Sequence, residues 1–274
     1  HTLPNQEAVK KGLLRDDVFV VVHDTHWTET AHLADLVLPA PTYFEKEDIV
    51  IPYSHSYVRK SNQVIEPRGE SKSELQVMEE LAIRLHCKET WIYEDKWEAL
   101  HNGLQNAFET GDISHIKRGE LLTLKMKPKN EYQTPTGRIE LYSATAEKMG
   151  VTPLPKQYPL PKSGFILLNT AVKNYTHTQF QDIYGAIPSL VFINLEDAKT
   201  HHIHDTDVIE VSSKLGSIKL KAVISTAVPR GVLWAPRQGK DIEGTPQNSI
   251  MPDTTQKIGG GPVFNSTVVT IRKL

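Results

Sequence analysis

The run His23-Asp24-Thr25-His26-Trp27-Thr28 groups imidazole, carboxylate and hydroxyl side chains directly after an apolar stretch, Val18 to Val22. It also lies just ahead of a short helical segment, Thr28 to Ala34. In open α/β sheets ligands settle at such points, because strand ends and helix N-terminal N–H groups converge there. Asp24 could accept two hydrogen bonds from the amide and amine edge of a purine. Asp24 and Thr28 could equally do no more than cap the helix that follows. A second polar stretch, Lys173-Asn174-Tyr175-Thr176-His177-Thr178-Gln179, follows a strand ending at Asn169 and has enough donors to hold a phosphate or a pterin. Surface loops are polar in any case, so this loop alone decides little.

The remaining candidates have plainer readings. His23 with His26, and His201 with His202 and His204, lack the further Cys or carboxylate ligands of a closed metal site, so solvated loop histidines are expected. Gly259-Gly260-Gly261-Pro262 could form an anion-binding nest or a flexible turn; it lacks the Gly-Lys-Ser/Thr ending of a phosphate loop. A self-cleaving decarboxylase would need a Gly-Ser bond, but Gly216-Ser217 falls between two alternating strands, where a hairpin turn needs glycine. The single cysteine, Cys87, excludes an internal disulfide and any iron-sulfur or thiolate zinc site built from this chain alone.

The elements that must position these groups change character along the chain. Up to residue 150 the pattern is α/β: a helix from Pro4 to Leu14, a strand at Val18 to Val22 buried on both faces, and a second buried strand at Leu36 to Leu38 ended by Pro39. Ser73 and Gln76 form a capping box ahead of a helix to Leu85, and Trp97 to Phe108 marks another amphipathic helix. Thr134 to Gly137 reads as a turn and Arg138 to Tyr142 as a half-exposed strand. Residues 151–163 hold Pro153, Pro155, Pro159 and Pro161 and form the expected linker. From residue 164 to 274 short strands follow one another at 165–168, 190–193, 208–212, 218–224, 232–234 and 267–271, with one short helix near Glu196 to Thr200. Strands spaced this way suggest a closed barrel.

The balance of 31 basic and 33 acidic residues gives a net charge of -2, which supplies no strong attraction to nucleic acid or an anionic membrane. His1-Thr2-Leu3-Pro4 has neither an initiating Met nor a signal segment, so a piece of a longer chain is expected.

Taken together, these segments resemble the C-terminal part of the molybdopterin-dependent oxidoreductases, the dimethyl sulfoxide reductase and formate dehydrogenase superfamily. Residues 18–45 are similar to that family's strand, Asp, Trp-Thr, Ala-Asp, Val-Leu-Pro and Glu pattern, residues 66–86 to the next segment and helix, and Thr134 to Tyr142 to its turn and strand. Residues 165–274 resemble its dinucleotide-binding domain through His177-Thr178-Gln179, Ile193-Asn194 to Ala198, Asp207 to Gly216, Pro229 to Val232, and Asn248. The segment Val64 to Lys72 is similar to a cytoplasmic branch.

The resemblance implies an α/β partial domain (1–150), the Pro-rich linker, and a six-stranded double-psi-type barrel (164–274) of the aspartate-decarboxylase-like kind. It implies a bis-molybdopterin guanine dinucleotide cofactor with molybdenum or tungsten, with Asp24, Thr28 and Thr30 at one dinucleotide. Asn169, Lys173, His177, Thr178, Gln179 and Asn248 would hold pterin or phosphate, although Lys173 stands where an Arg is common. Two departures stand out: the family's Gly-Ile-x-Asp-Gly-Asp turn is His202 to Asp207 here, without its glycines, and its Gly-Thr-Phe-Asn-like stretch is Asp48 to Tyr53. The metal ligand and any iron-sulfur cluster would lie in an upstream portion of the same enzyme, so this chain alone is expected to be inactive, with no catalytic or metal-binding residue of its own. A small-molecule substrate and an electron-transfer partner would belong to the complete enzyme. The competing class is a non-catalytic barrel module that binds a protein or peptide.

Overall fold

A computed structural model describes residues 3–126, 130–157, 159 and 161–274. His1, Thr2, and Tyr158 and Leu160 of the expected linker lie outside the described residues. The chain divides into two compact units, Leu13–Ile139 and Glu140–Leu274, the latter joined by the N-terminal segment through Gly12.

Helix α1 spans Gln6–Leu13. In the Leu13–Ile139 unit, β1 (Val21–Asp24) and β2 (Leu36–Pro39) pair in parallel, with Asp24 opposite Pro39. Two expectations are corrected here. The apolar run from Val18 gives only Val21 and Val22 to the strand, and with Phe19 72% and Val21 48% exposed it is not buried on both faces. The described residues give β1 one paired neighbour, and the crossover holds only a 3-10 turn, Ala31–Leu33, where a helix from Thr28 to Ala34 was expected. Such a turn is too short to cover a face.

A three-stranded antiparallel sheet of β3 (Asp48–Val50), β4 (Tyr57–Ser61) and β5 (Leu122–Thr123) was not legible, because strands this short show no alternation. Helix α2 (Glu74–Arg84) opens with the expected box: Gln76 N donates to Ser73 Oγ at 3.4 Å and Ser73 N to Gln76 Oε1 at 2.8 Å. Helix α3 (Lys96–Gly103) ends earlier than its apolar spacing suggested. Phe108 instead leaves the helix to bridge Leu124, where it joins Val58, Trp97, Ile113, Ile116 and Leu122 in the core of this unit. Ile113 and Ile116 belong to a one-turn helix, α4 (Ile113–Lys117). Thr134 to Gly137 is the expected turn, closed by Gly137 N to Thr134 O at 3.0 Å. Arg138 to Tyr142 forms no strand among the described residues, and Ile139 and Leu141 are 68% and 82% exposed.

The second unit contains helix α5 (Ala144–Lys148) and the barrel. Its strands are β6 (Phe165–Thr170), β7 (Leu190–Ile193), β8 (Val208–Ser212), β9 (Ser217–Ile224), β10 (Val232–Pro236) and β11 (Thr267–Lys273), with α6 (Gln181–Tyr184) and α7 (Leu195–Thr200) between them. They close in the order β10-β6-β11-β8-β9-β7, with β6 parallel to β10 and β7 parallel to β9. This is the six-stranded double-psi-type barrel that the strand spacing and the resemblance foretold. Alternate residues point inward, so Leu167, Val191, Ile193, Ile209, Val211, Leu220 and Leu233 are fully buried, each contributing about 1.5–3 kcal/mol. Helix α6 and a 3-10 turn at Gln247–Ile250 were not anticipated.

Three motifs have structural roles. Asp197 in α7 accepts from Gly231 N at 2.7 Å and Arg230 Nε at 3.4 Å, tying the helix to the approach to β10. Gly216 lies in the β8–β9 hairpin turn, where its carbonyl accepts from Ser213 N at 2.8 Å. Gly259 to Pro262 also lies in a hairpin: Gln256 N donates to Gly261 O at 2.8 Å and Val263 N to Thr254 O at 3.1 Å.

The turn that lost its glycines keeps their backbone geometry. His202 has φ 54° and Thr206 φ 70°, a region that costs a side-chain-bearing residue about 1–2 kcal/mol. Asp207 holds the turn by accepting from His204 N at 2.6 Å and pairing with Lys273 at 2.6 Å; Lys273 keeps its carboxyl below the usual range. Because both strained side chains are exposed, His202→Gly and Thr206→Gly should each stabilise the barrel by about 1 kcal/mol in denaturant titrations.

Candidate functional site

In the Leu13–Ile139 unit, Asp24 ends β1 and lines an open cleft of roughly 630 Å³ with His26, Trp27, His32, Asp35 and Pro39. Its Oδ1 accepts from His26 N at 3.2 Å, within the loop, so Asp24 does not cap the 3-10 turn. Trp27, 70% exposed, stacks on His32 with centroids 5.6 Å apart, which leaves an aromatic face at the cleft. Thr28 and Thr30 are not part of the cleft lining. The Thr28 hydroxyl accepts from Ala31 N at 3.3 Å at the start of the 3-10 turn, whose N-cap position is Thr30, and Thr30 makes no side-chain cap.

In the same unit, Glu45 is 6% exposed and organises two segments. Its Oε2 accepts from Thr42 N at 2.7 Å and Thr42 Oγ1 at 2.8 Å, and its Oε1 from Arg68 N at 2.9 Å. These bonds, those from Thr42 first, hold its carboxyl below the ordinary glutamate value. A lowered folded value means that the stabilisation is complete above about pH 4.3 and fades as pH falls through the folded value. Protection factors of the Thr42 and Arg68 amides should therefore fall on acidification, and Glu45→Gln should remove that acid dependence.

In the barrel unit, the parallel pair β6–β10 brings its two C-terminal ends together, with Asn169 opposite Ala235. Beyond β6 runs the loop with Lys173, His177, Thr178 and Gln179; Lys173, His177 and Gln179 are exposed and Thr178 is half-buried. Beyond β10 run Arg237, Gln238 and Gly239. His177 Nδ1 lies 3.1 Å from Arg237 Nη2 and 3.3 Å from Gln238 Nε2, joining the two loops. Gly239 O accepts from Gln247 N at 3.0 Å, and a side chain at Gly239 would stand 3.0 Å from Gln247 Nε2, which places the Gln247–Ile250 turn at the same end.

Asn169 and Gln247 are 2% and 1% exposed, and neither side-chain amide has a partner among the described residues; the Ser249 hydroxyl is in the same position. An unsatisfied buried polar group costs about 1–3 kcal/mol, so two amides concentrated at one barrel end mark a place where a polar ligand would complete them. Asn248 is placed otherwise: its Nδ2 donates to Leu3 O at 3.2 Å, tying the N-terminal segment to this turn, and Asn5 N donates to Met251 O at 2.9 Å beside it. Sequence reasoning named Asn169 and His177, which the structure brings to this end, and did not name Arg237, Gln238, Gln247 or Ser249. Arg237-Gln238-Gly239 immediately after an apolar strand was the available signal.

Among the described residues no group of three or more His, Cys, Asp or Glu is placed to hold a metal ion. The donor set at the barrel end is amide, imidazole, guanidinium and hydroxyl. Such a set fits an organic ligand with hydrogen-bonding edges and oxyanions.

Comparison with known proteins agrees. Residues 1–84 match the family model Molybdopterin oxidoreductase and residues 165–268 match the Molydopterin dinucleotide binding domain. The chain belongs to the molybdopterin-dependent oxidoreductases. It is 34% identical to the probable oxidoreductase YoaE of Bacillus subtilis, over 99% of this chain and 42% of that protein. It is 27% identical to dimethyl sulfoxide reductase DmsA of Escherichia coli, over 96% and 39%. The solved structure of acetylene hydratase from Pelobacter acetylenicus shares the fold, with a TM-score of 0.72 at 23% identity over 99% of this chain and 42% of that one. The chain thus spans less than half the length of these relatives. Domains of these two kinds imply a molybdopterin dinucleotide cofactor with molybdenum.

Proposed function

We propose that this chain is the C-terminal segment of a molybdenum or tungsten oxidoreductase and holds the guanine dinucleotide tails of a pair of molybdopterins. The observation that carries this reading is the pair of buried, unpartnered amides, Asn169 and Gln247, within the segment matched by the dinucleotide-binding model. Asn169 and Gln247 would pair with the donors and acceptors of a heterocycle, while Lys173, His177, Thr178, Gln179 and Arg237 offer donors to oxyanions. Asp24, at its cleft, would accept from a guanine edge, with the exposed Trp27 face beside it. When bound, the metal and its pterins supply two-electron oxygen-atom or hydrogen transfer, and this chain contributes binding and orientation. Relatives named as reductases and as a hydratase share this segment, so the choice of reaction belongs to residues elsewhere in the polypeptide.

The test is to express the chain together with the rest of its polypeptide, oxidise the purified protein, and assay the fluorescent pterin and the guanosine monophosphate released. Both should be recovered. A well-folded protein with neither would instead support a non-catalytic barrel module.

A further inference from the structure

Resting on the reading of the barrel end as a dinucleotide site, a finer property follows from His177. Its Nδ1 faces Arg237 Nη2 at 3.1 Å and Gln238 Nε2 at 3.3 Å. A guanidinium can only donate, so Nδ1 must be the acceptor, and a neutral imidazole then carries its proton on Nε2. Nε2 has no hydrogen-bond partner among the described residues, and the ring is exposed. Gln238 is 2% exposed and held at φ 65°, while His177 sits at φ 55° and Asn174 and Phe180, in the same loop, at φ 78° and 68°. Left-handed backbone at residues other than glycine persists where the surroundings over-determine it, often where a ligand is gripped.

We propose that Arg237 and Gln238 are positioning residues that lock His177 as the Nε2–H tautomer, so that this loop offers the ligand a fixed donor and selects an oxygen acceptor on it. Both donors come from the strand end opposite the histidine loop, so the lock depends on the β6–β10 pairing.

Two-bond 1H–15N correlation spectra of the chain read the tautomer directly, without ligand. Wild type should show a protonated Nε2 and a bare Nδ1. Arg237→Met or Gln238→Met, each leaving one donor, should keep that pattern. The pair Arg237→Met with Gln238→Glu puts an acceptor against Nδ1 and should move the proton there. A wild-type mixture of tautomers, or a double variant still protonated at Nε2, overturns the lock.

The donor itself is read in the complete enzyme from fluorescent pterin per protein. His177→Gln, whose amide reaches the Nε2 position, should retain pterin, whereas His177→Ala and His177→Asn should lose it about tenfold. Equal retention in Asn and Gln variants overturns the donor role. Wild-type enzyme without pterin would sink the dinucleotide reading, and with it the donor's purpose, while the ligand-free spectra still decide the lock.

Discussion

Asn169→Leu and Gln247→Met are expected to make the ligand-free protein more stable and to strip it of pterin. Each native amide is buried with no partner among the described residues. In an apolar setting such a group costs about 1–3 kcal/mol, whereas an apolar side chain of similar shape carries no such penalty. Each substitution should therefore shift the denaturant midpoint upward by an amount equivalent to about 1–3 kcal/mol. Leucine and methionine keep the heavy-atom count of the residues they replace, and the larger methyl groups of leucine make overpacking offset part of that gain at residue 169. The same changes remove the donors and acceptors offered to the ligand, and pterin recovered per protein should fall by at least about tenfold. Opposite movement of stability and binding is the signature of a binding site held in readiness at a cost to the fold. Loss of stability with pterin retained would show that both amides are structural.

The second large effect is on barrel closure. Gly164 precedes β6 at φ 86°, and a Cβ there would stand 2.6 Å from the carbonyl oxygen of Val269 in β11. No flexible side chain can give way, because the obstacle is the backbone of the neighbouring strand. Gly164→Ala should thus destabilise the barrel by about 3 kcal/mol, combining left-handed strain with a forced separation of β6 from β11. Gly244→Ala is the control: its φ is 90° but nothing lies within 4 Å, so only the conformational part, about 1 kcal/mol, should appear. Similar losses at both positions would mean that the close approach carries no energy of its own. Since β6 carries Asn169 and leads into the His177 loop, Gly164→Ala should also weaken ligand retention.

Much of the barrel was legible because its strands obey one rule. Ile209 and Val211, or Phe165 and Leu167, alternate with more exposed neighbours since only one face of each strand meets the core. The Ser73–Gln76 box was legible for a similar reason, being a contact between residues three apart. The Leu13–Ile139 unit was harder. Phe108 continues a helical spacing but pairs with Leu124, and Arg138 to Tyr142 alternates yet finds no neighbouring strand among the described residues. Period alone does not say whether a partner exists.

By itself the sequence determined which segments carry chemistry: an acidic strand end at Asp24, a donor-rich loop around His177, and a closed barrel built from alternating strands. These properties are local, written in composition and in spacings of a few residues. Only the tertiary structure decided that Arg237 and Gln238 meet His177 across 60 and 61 positions, that Gln247 joins Asn169 at one end, and that Asn248 serves Leu3 instead. Barrel closure brings distant loops together through strand order, and that order comes from packing the whole set of strands at once.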